Sequence, residues 1–285
     1  MPYSELAPIV VGIGEILFDC LPDGKRLGGA PFNFSRYAQQ CGMTAVPVSA
    51  VGEDADGDQV KELLRQSDIT SRLVRRCPDA PTGLVTVEVD AEGVPHYEIG
   101  NPAAWDFLQP CADLETISRK AAAVCFGTLA QRNAVSRQTI RNFLDHLRPD
   151  CLRVLDLNLR APFYDREVIE ESLKRCAILK ISSEEAPEML RLLEISEERW
   201  METLLRSYRL QAIVLTRGAQ GATFFDRHRR FEVPAATFGP VKDTVGCGDA
   251  FTAAFIASRL RGEGYREAMT NAAQLAGKVA AGMYR

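Results

Sequence analysis

The stretch DTVGCGDAF, residues 243–251, places two glycines and two aspartates just ahead of a helical run. Two bland readings come first: Asp249 as a helix-capping acid, and Gly246 and Gly248 as turn residues. The same residues also suit chemistry. Backbone N–H groups at Gly246, Cys247 and Gly248 would point out of a helix N-terminus, where the helix dipole favours an anion. Larger side chains would obstruct close approach. Asp249, at the mouth of that pocket, is placed to take a proton from an attacking hydroxyl, as a carboxylate base does in phosphoryl transfer.

A second constellation is LGGAPFNFS, residues 27–35. Paired glycines let a backbone approach a ligand closely, and Asn33 in a first helical turn offers both donor and acceptor to vicinal hydroxyls. Asp19 is a further acceptor just upstream. A glycine turn into a capped helix is the plain alternative. The usual nucleotide signatures are missing. Gly24-Lys25 and Gly277-Lys278 lack the rest of a phosphate loop, and GIGEIL (12–17) has Leu17 where a dinucleotide fingerprint needs its third glycine. Three scattered histidines, His96, His146 and His228, argue against a zinc site and leave carboxylates as the candidate bases.

These residues need elements to hold them. Short apolar runs alternate with amphipathic stretches: IVVGIGEILFD, helix 31–42, VPVSAVG, helix 57–68, AAVCFGTL, helix 136–149, LRVLDLNLR, helix 166–176, CAILKIS, helices through 184–209, QAIVLTRG, then helical stretches 249–264 and 265–283. That rhythm predicts an α/β domain with a mostly parallel sheet covered on both faces, its ligands outside the carboxyl ends of the strands. Two segments break it. A hairpin around Asp23-Gly24 (17–29) and an alternating pair of strands (82–100) predict one small antiparallel sheet beside the main domain. Val85, Val87 and Val89 alternate as one face of it, which a ligand or a second copy would cover.

Bulk properties narrow the class. The 285 residues suit one large domain; 46% are hydrophobic, 25% charged, and the net charge is −4. Short basic runs give no nucleic-acid footprint. No apolar run approaches the ~18 residues of a membrane span. The N-terminus has no secretory pattern, so a cytoplasmic protein with eight buried free thiols is expected.

GGAPFNFS near the start and DTVGCGDAF near the end resemble the two signatures of the ribokinase-like (PfkB) carbohydrate kinases. The resemblance runs essentially end to end, through GEILFD, SAVGEDADGD, DLNLR, LKISSEEA, VLTRGAQGA and NAA, in that family's order. It implies a ribokinase-like, Rossmann-type sandwich across 1–285, a β-sheet lid from segments near 17–29 and 82–105, and ATP-dependent phosphorylation of a sugar hydroxyl with Mg2+. Asp249 resembles the catalytic base, with Gly246, Cys247 and Gly248 as its anion hole. Asp19, Gly28, Gly29 and Asn33 resemble sugar contacts, and Asn158 and Arg160 contacts to phosphate or substrate. Thr216, Arg217, Gly218 and Gly221 resemble the nucleotide-binding turn, and Asn271 the residue beside the adenine.

The chain departs from the family at Ser182, which stands where an Asn-x-x-Glu segment has its amide; Glu185 keeps the acid. That implies weakened metal handling, with Glu185 acting through water. Asp243 matches one ligand position of a monovalent cation such as K+, whose activation the resemblance leaves open. The pattern around Gly14–Pro22, the Gly-Gly-Ala-Pro run, and Tyr97 or Asn101 in HYEIGNPAAWD are closest to fructokinases. Another sugar, a sugar acid, a nucleoside, or slow sugar sensing on the same fold are the alternatives, and a homodimer through the lid is expected.

Overall fold

A parallel strand buried on both faces must be apolar at consecutive positions, and β1 (Ile9–Ile13) is. Val11 and Ile13 pack on one side of the sheet, with Val48, Phe126, Leu155, Leu179 and Ile213. Val10 packs on the other, with Ala45, Cys125, Val154 and Phe224. The computed structural model describes residues 7–21, 24–89 and 95–284, without the side chains of 87–89 and 95–97.

Parallel pairing joins β1 to β4 (Thr44–Gly52) and β8 (Ala123–Phe126). It then continues outward through β9 (Leu152–Asp156), β10 (Ile178–Ser182) and β11 (Ala212–Thr216). On the far side β5 (Val74–Cys77) closes the parallel set against β4. β12 (Ala222–Phe225) and β13 (Arg230–Val233) finish the nine-stranded sheet antiparallel. The sequence reading missed these last three strands. β5 is four residues with two arginines, and the β12–β13 turn has no glycine: Asp226 makes it by accepting from the N–H groups of His228 and Arg229.

One face carries α1 (Ala30–Gln40), α8 (Cys247–Leu260) and α9 (Tyr265–Ala280). Residues 250–258 of α8 are buried on every side, so the helix lacks a polar stripe and runs through the core. The opposite face carries α4 (Ala134–Asp145), α5 (Arg166–Arg175), α6 (Ala186–Leu193) and α7 (Trp200–Ser207). Two further helices complete the count among the described residues. α2 (Ala55–Gln66) is the helix expected near 57–68, and α3 (Ala112–Ser118) was unforeseen.

The two irregular segments do form one small sheet, ordered β3 (Gly24–Gly28), β2 (Leu17–Leu21), β6 (Gly83–Val89), β7 (Pro95–Ile99). Its central join is parallel, not antiparallel as expected: Asp19 lies opposite Val85 with both strands running the same way. Only the hairpins at either side are antiparallel. Between β2 and β6 the chain makes α1, β4, α2 and β5, long enough a crossover to bring β6 back in the same direction. Val85 is buried within the single chain, at 8% exposure, which corrects its place on an outward face; the side chains of Val87 and Val89 lie outside the described residues. All eight cysteines are free, four of them only half-buried.

Candidate active site

The carboxyl ends of β1, β8, β9, β10 and β11 open toward one edge of the sheet, and α1 and α8 both begin there. Gly246 precedes α8 with φ 77, a left-handed conformation that suits glycine. No side chain caps this helix end. The Cys247 N–H bonds the Thr244 carbonyl at 3.2 Å, so it is already matched inside the turn. Among the described residues, the N–H groups of Gly246, Gly248 and Asp249 have no recorded partner. Burial pushes the Cys247 thiol up to about 11, so it stays neutral.

Asp249 faces α1. Asn33 Nδ2 donates to its Oδ2 at 3.0 Å, joining the two glycine-led motifs across more than two hundred residues of chain. Burial, then the charge of Asp156, pushes the Asp249 carboxyl up to about 7. Lys180, the Asn33 bond and Arg160 pull against that rise. A carboxylate poised near neutrality suits a general base.

The lid side is equally tight. A Cβ on Gly28 would stand 2.5 Å from Asp19 Oδ2, and one on Gly29, at φ 99, would stand 2.4 Å from the Glu15 carbonyl. Burial raises the Asp19 carboxyl and the Arg160 charge opposes it. Tyr97 pairs with Val87 in β7, but its side chain lies outside the described residues. Asn101 is exposed just beyond that strand.

A cavity of about 500 Å³ opens at the carboxyl ends of β9 and β10, lined by Asn158, Arg160, Lys180, Ser182, Glu184 and Glu185 among others. Asn158 holds φ 44, an uncommon conformation for a residue with a side chain, and one found most often where function requires it. Ser182 and Glu185 form a reciprocal pair. The Ser182 N–H donates to Glu185 Oε2 at 2.8 Å, and the Glu185 N–H donates to Ser182 Oγ at 3.3 Å. Glu185 Oε1 takes the Leu159 N–H at 2.7 Å. Both Glu185 oxygens are therefore partly engaged, leaving lone pairs for water-mediated contact with a cation.

The candidate nucleotide turn follows β11. Gly218 and Gly221 have φ 50 and 85, and the Arg217 N–H bonds the Gly221 carbonyl at 2.8 Å. Thr216 bonds the end of β10. The Arg217 guanidinium pairs with Glu232 at 3.1 Å, so part of its role is local. Asn271 uses its amide hydrogens on Ser258 and Glu263, at 3.1 and 2.9 Å, as a clamp between α8 and α9. Ser258 lies about 18 Å along α8 from Gly246, by helix rise. Asp243 is exposed and meets Arg26 of the lid at 3.6 Å, while its Oδ1 accepts the Val245 N–H.

Four largely buried residues here escaped the sequence reading. Lys180 pairs with Asp156 at 2.9 Å, and Thr252 Oγ1 donates to Asp156 Oδ2 at 3.2 Å. Glu15 is 2% exposed, and burial pushes it up to about 7. Lys180 and Asp156 sit inside the quoted runs LKISSEEA and DLNLR, yet a lysine in a strand reads as an exposed position until the neighbouring strand is known.

The chain is similar in sequence and fold to known kinases. A sugar kinase of Pyrococcus horikoshii is 27% identical over 274 residues, covering 90% of this chain and 84% of its own. The crystal structure of that protein in complex with ATP superposes with a TM-score of 0.81, at 24% identity, over 97% and 93% of the two chains. A fructokinase of Rhizobium leguminosarum is 25% identical over 267 residues, 88% of this chain and 79% of its own. A Burkholderia thailandensis nucleoside kinase in complex with inosine shares the fold, with a TM-score of 0.79, 18% identity and coverage of 96% and 91%. The model of the pfkB family carbohydrate kinases matches residues 22–282, nearly the whole chain, and the protein belongs to that family.

Proposed function

We propose that the protein is an ATP-dependent kinase that phosphorylates a hydroxyl of a small sugar, with fructose as the preferred acceptor. The observation that carries the reading is Asp249: a carboxyl near pKa 7, oriented by Asn33, beside an uncapped helix N-terminus. In that arrangement the acceptor hydroxyl lies under the lid, against Asp19, Gly28 and Gly29, and gives its proton to Asp249. The unmatched N–H groups of Gly246, Gly248 and Asp249 receive the charge of the phosphoryl oxygens. Thr216 and the 217–221 turn hold the nucleotide beyond it.

Ser182, Glu184 and Glu185 supply oxygen donors of the kind Mg2+ takes, Glu185 through water. When bound, the ion would neutralise charge on the nucleotide phosphates. K+ at Asp243 would compete with Arg26 for the same carboxylate.

Support for fructose comes from the relative named above and from the Gly-Gly-Ala-Pro pattern. A nucleoside acceptor needs an apolar platform, and the nearby Trp105 does not offer one: it is 1% exposed with Arg132 4.0 Å over its ring. A sugar acid is the second reading, favoured by Arg160, an exposed cation whose charge reaches Asp19. Coupled ATP turnover with fructose, ribose, tagatose, 2-keto-3-deoxygluconate and adenosine tests it. Fructose should give the highest kcat/KM, because an unmatched buried polar group costs about 1–3 kcal/mol per lost hydroxyl. A tenfold preference for the keto acid would move the assignment to the second reading. The same reading carries a lid-to-lid homodimer, which sedimentation at micromolar concentration would show as twice the monomer mass.

A further inference from the structure

A lysine in the interior of a sheet is expensive unless it is paired, and a pair that only holds the fold together does no better than two apolar residues. Lys180 is such a lysine. Its side chain is 11% exposed and that of Asp156 5%. The two occupy opposed positions of β10 and β9, so both side chains leave the same face of the sheet. That face is the one covered by α8. Thr252, one turn into α8, holds the other oxygen of Asp156, and its hydroxyl also contacts the Gly248 carbonyl. The ammonium is thereby fixed against the first turn of α8: a Cβ added at Gly248 would stand 2.9 Å from Nζ. Asp156 takes one of its three hydrogens, at 2.9 Å. The cavity beside Asn158, Arg160, Ser182 and Glu185 is the open space next to it.

We propose that Lys180 is a catalytic residue, donating to a peripheral oxygen of the phosphoryl group as it passes from nucleotide to acceptor. In that step the acceptor oxygen forms its bond to the terminal phosphorus. The bond from that phosphorus to the bridging oxygen breaks, its electron pair leaving with the nucleoside diphosphate, and the acceptor proton goes to Asp249. Lys180 keeps its three protons throughout and supplies charge at a site where the protein, not water, surrounds the phosphoryl oxygens. Asp156 and Thr252 are positioning residues that keep the ammonium at the helix end. The arrangement also explains Gly248: a side chain there would displace the ammonium from the N–H groups it works beside.

The inference rests on the phosphotransferase reading, which wild-type turnover and ADP binding measured by calorimetry test separately. The variants are Lys180→Met and the double variant Lys180→Met/Asp156→Leu, which removes both buried charges. Lys180→Met should lower kcat about 10²–10³-fold, as loss of an oxyanion-type donor does, with ADP affinity nearly unchanged. Because Lys180 holds the Asp249 carboxyl down, the acidic limb of the kcat/KM profile should also move to higher pH. The double variant should melt cooperatively and remain as slow as Lys180→Met. Recovery of the double variant to within about threefold of wild type, or a Lys180→Met kcat within that range, would show a structural ion pair and overturn the proposal. If Lys180→Met alone fails to fold, the double variant decides between the two outcomes.

Discussion

Two helices bring their N-termini to the same edge of the sheet, and the chain treats the two ends in opposite ways. α1 begins at Gly29 and α8 at Gly246, each a glycine with positive φ and no side-chain cap of its own. At α1 the end is closed from inside. Pro31 has no N–H to offer, and the Ala30 backbone lies close enough to the buried carboxyl of Glu15 to pull its pKa down against burial, with Oε2 unpartnered. At α8 no described side chain caps the N–H groups, and the ammonium of Lys180, which also lines the cavity, stands beside Gly248 instead. The same local grammar of glycine and helix therefore gives a filled joint in one place and an open helix end in the other. What separates them is whether a strand end delivers a carboxylate to the helix.

The largest effect should come from Asp249→Asn. Losing a general base lowers kcat by about 10²–10⁴-fold, while fold and nucleotide affinity should persist. A variant that kept half the wild-type rate would make the open helix end merely a capped turn, and the comparison would collapse. Gly248→Ala should follow. The added methyl meets the flexible end of Lys180 at 2.9 Å, so the fold tolerates it while the anion site narrows. We expect a loss of about tenfold or more in kcat with an unchanged or slightly higher Tm, since alanine outlasts glycine inside a helix by roughly 0.5–1 kcal/mol. A matching drop in Tm would instead assign that glycine to packing.

Glu15 tests the closed end. Its pKa rises from 4.5 unfolded to about 7 folded, so the folded state holds the proton more tightly. The stability this gives is present at low pH and is lost as pH climbs from 4.5 through 7. Glu15→Gln keeps the shape of the side chain and removes the charge, so it should raise stability at pH 8 by up to about 3 kcal/mol and change little at pH 4. Equal melting shifts at both pH values would mean the carboxyl is not paying this penalty. The smallest effect belongs to Ser182→Asn. Ser182 already accepts the Glu185 N–H, and an asparagine can do the same. A reduction of about twofold in the Mg2+ needed for half-maximal rate is expected, since such outer contacts tune affinity modestly. A higher requirement would show that the serine is the better partner for this particular cavity.

Much of the scaffold was legible because its causes are local. β1 and β8 are short apolar runs, α1 opens on Gly-Ala-Pro, and α2 carries Val60 and Leu64 on its buried side. Where the causes were distant the reading failed. Nothing within 82–89 says that β6 will run parallel to β2, since that direction is set by the crossover between them. The helices expected through 184–209 are α6 and α7, but where they part was not legible: the break falls between Glu194 and Arg199, both left-handed non-glycine residues that no propensity favours. The turn that engages the Cys247 N–H with the Thr244 carbonyl was likewise invisible in the sequence.

The sequence by itself determined the α/β class, the family through its two glycine motifs, and Asp249 as the carboxylate of the second motif, because each depends on residue types at short spacing. The tertiary structure alone decided which groups surround that carboxylate. Asn33, Lys180 and Asp156 come from a distant helix and two strands, and they meet Asp249 only once the parallel sheet aligns its carboxyl ends. Burial and charge act through space and not along the chain. The proton affinity of Asp249, the closed end of α1 and the open end of α8 are therefore properties of the packed molecule.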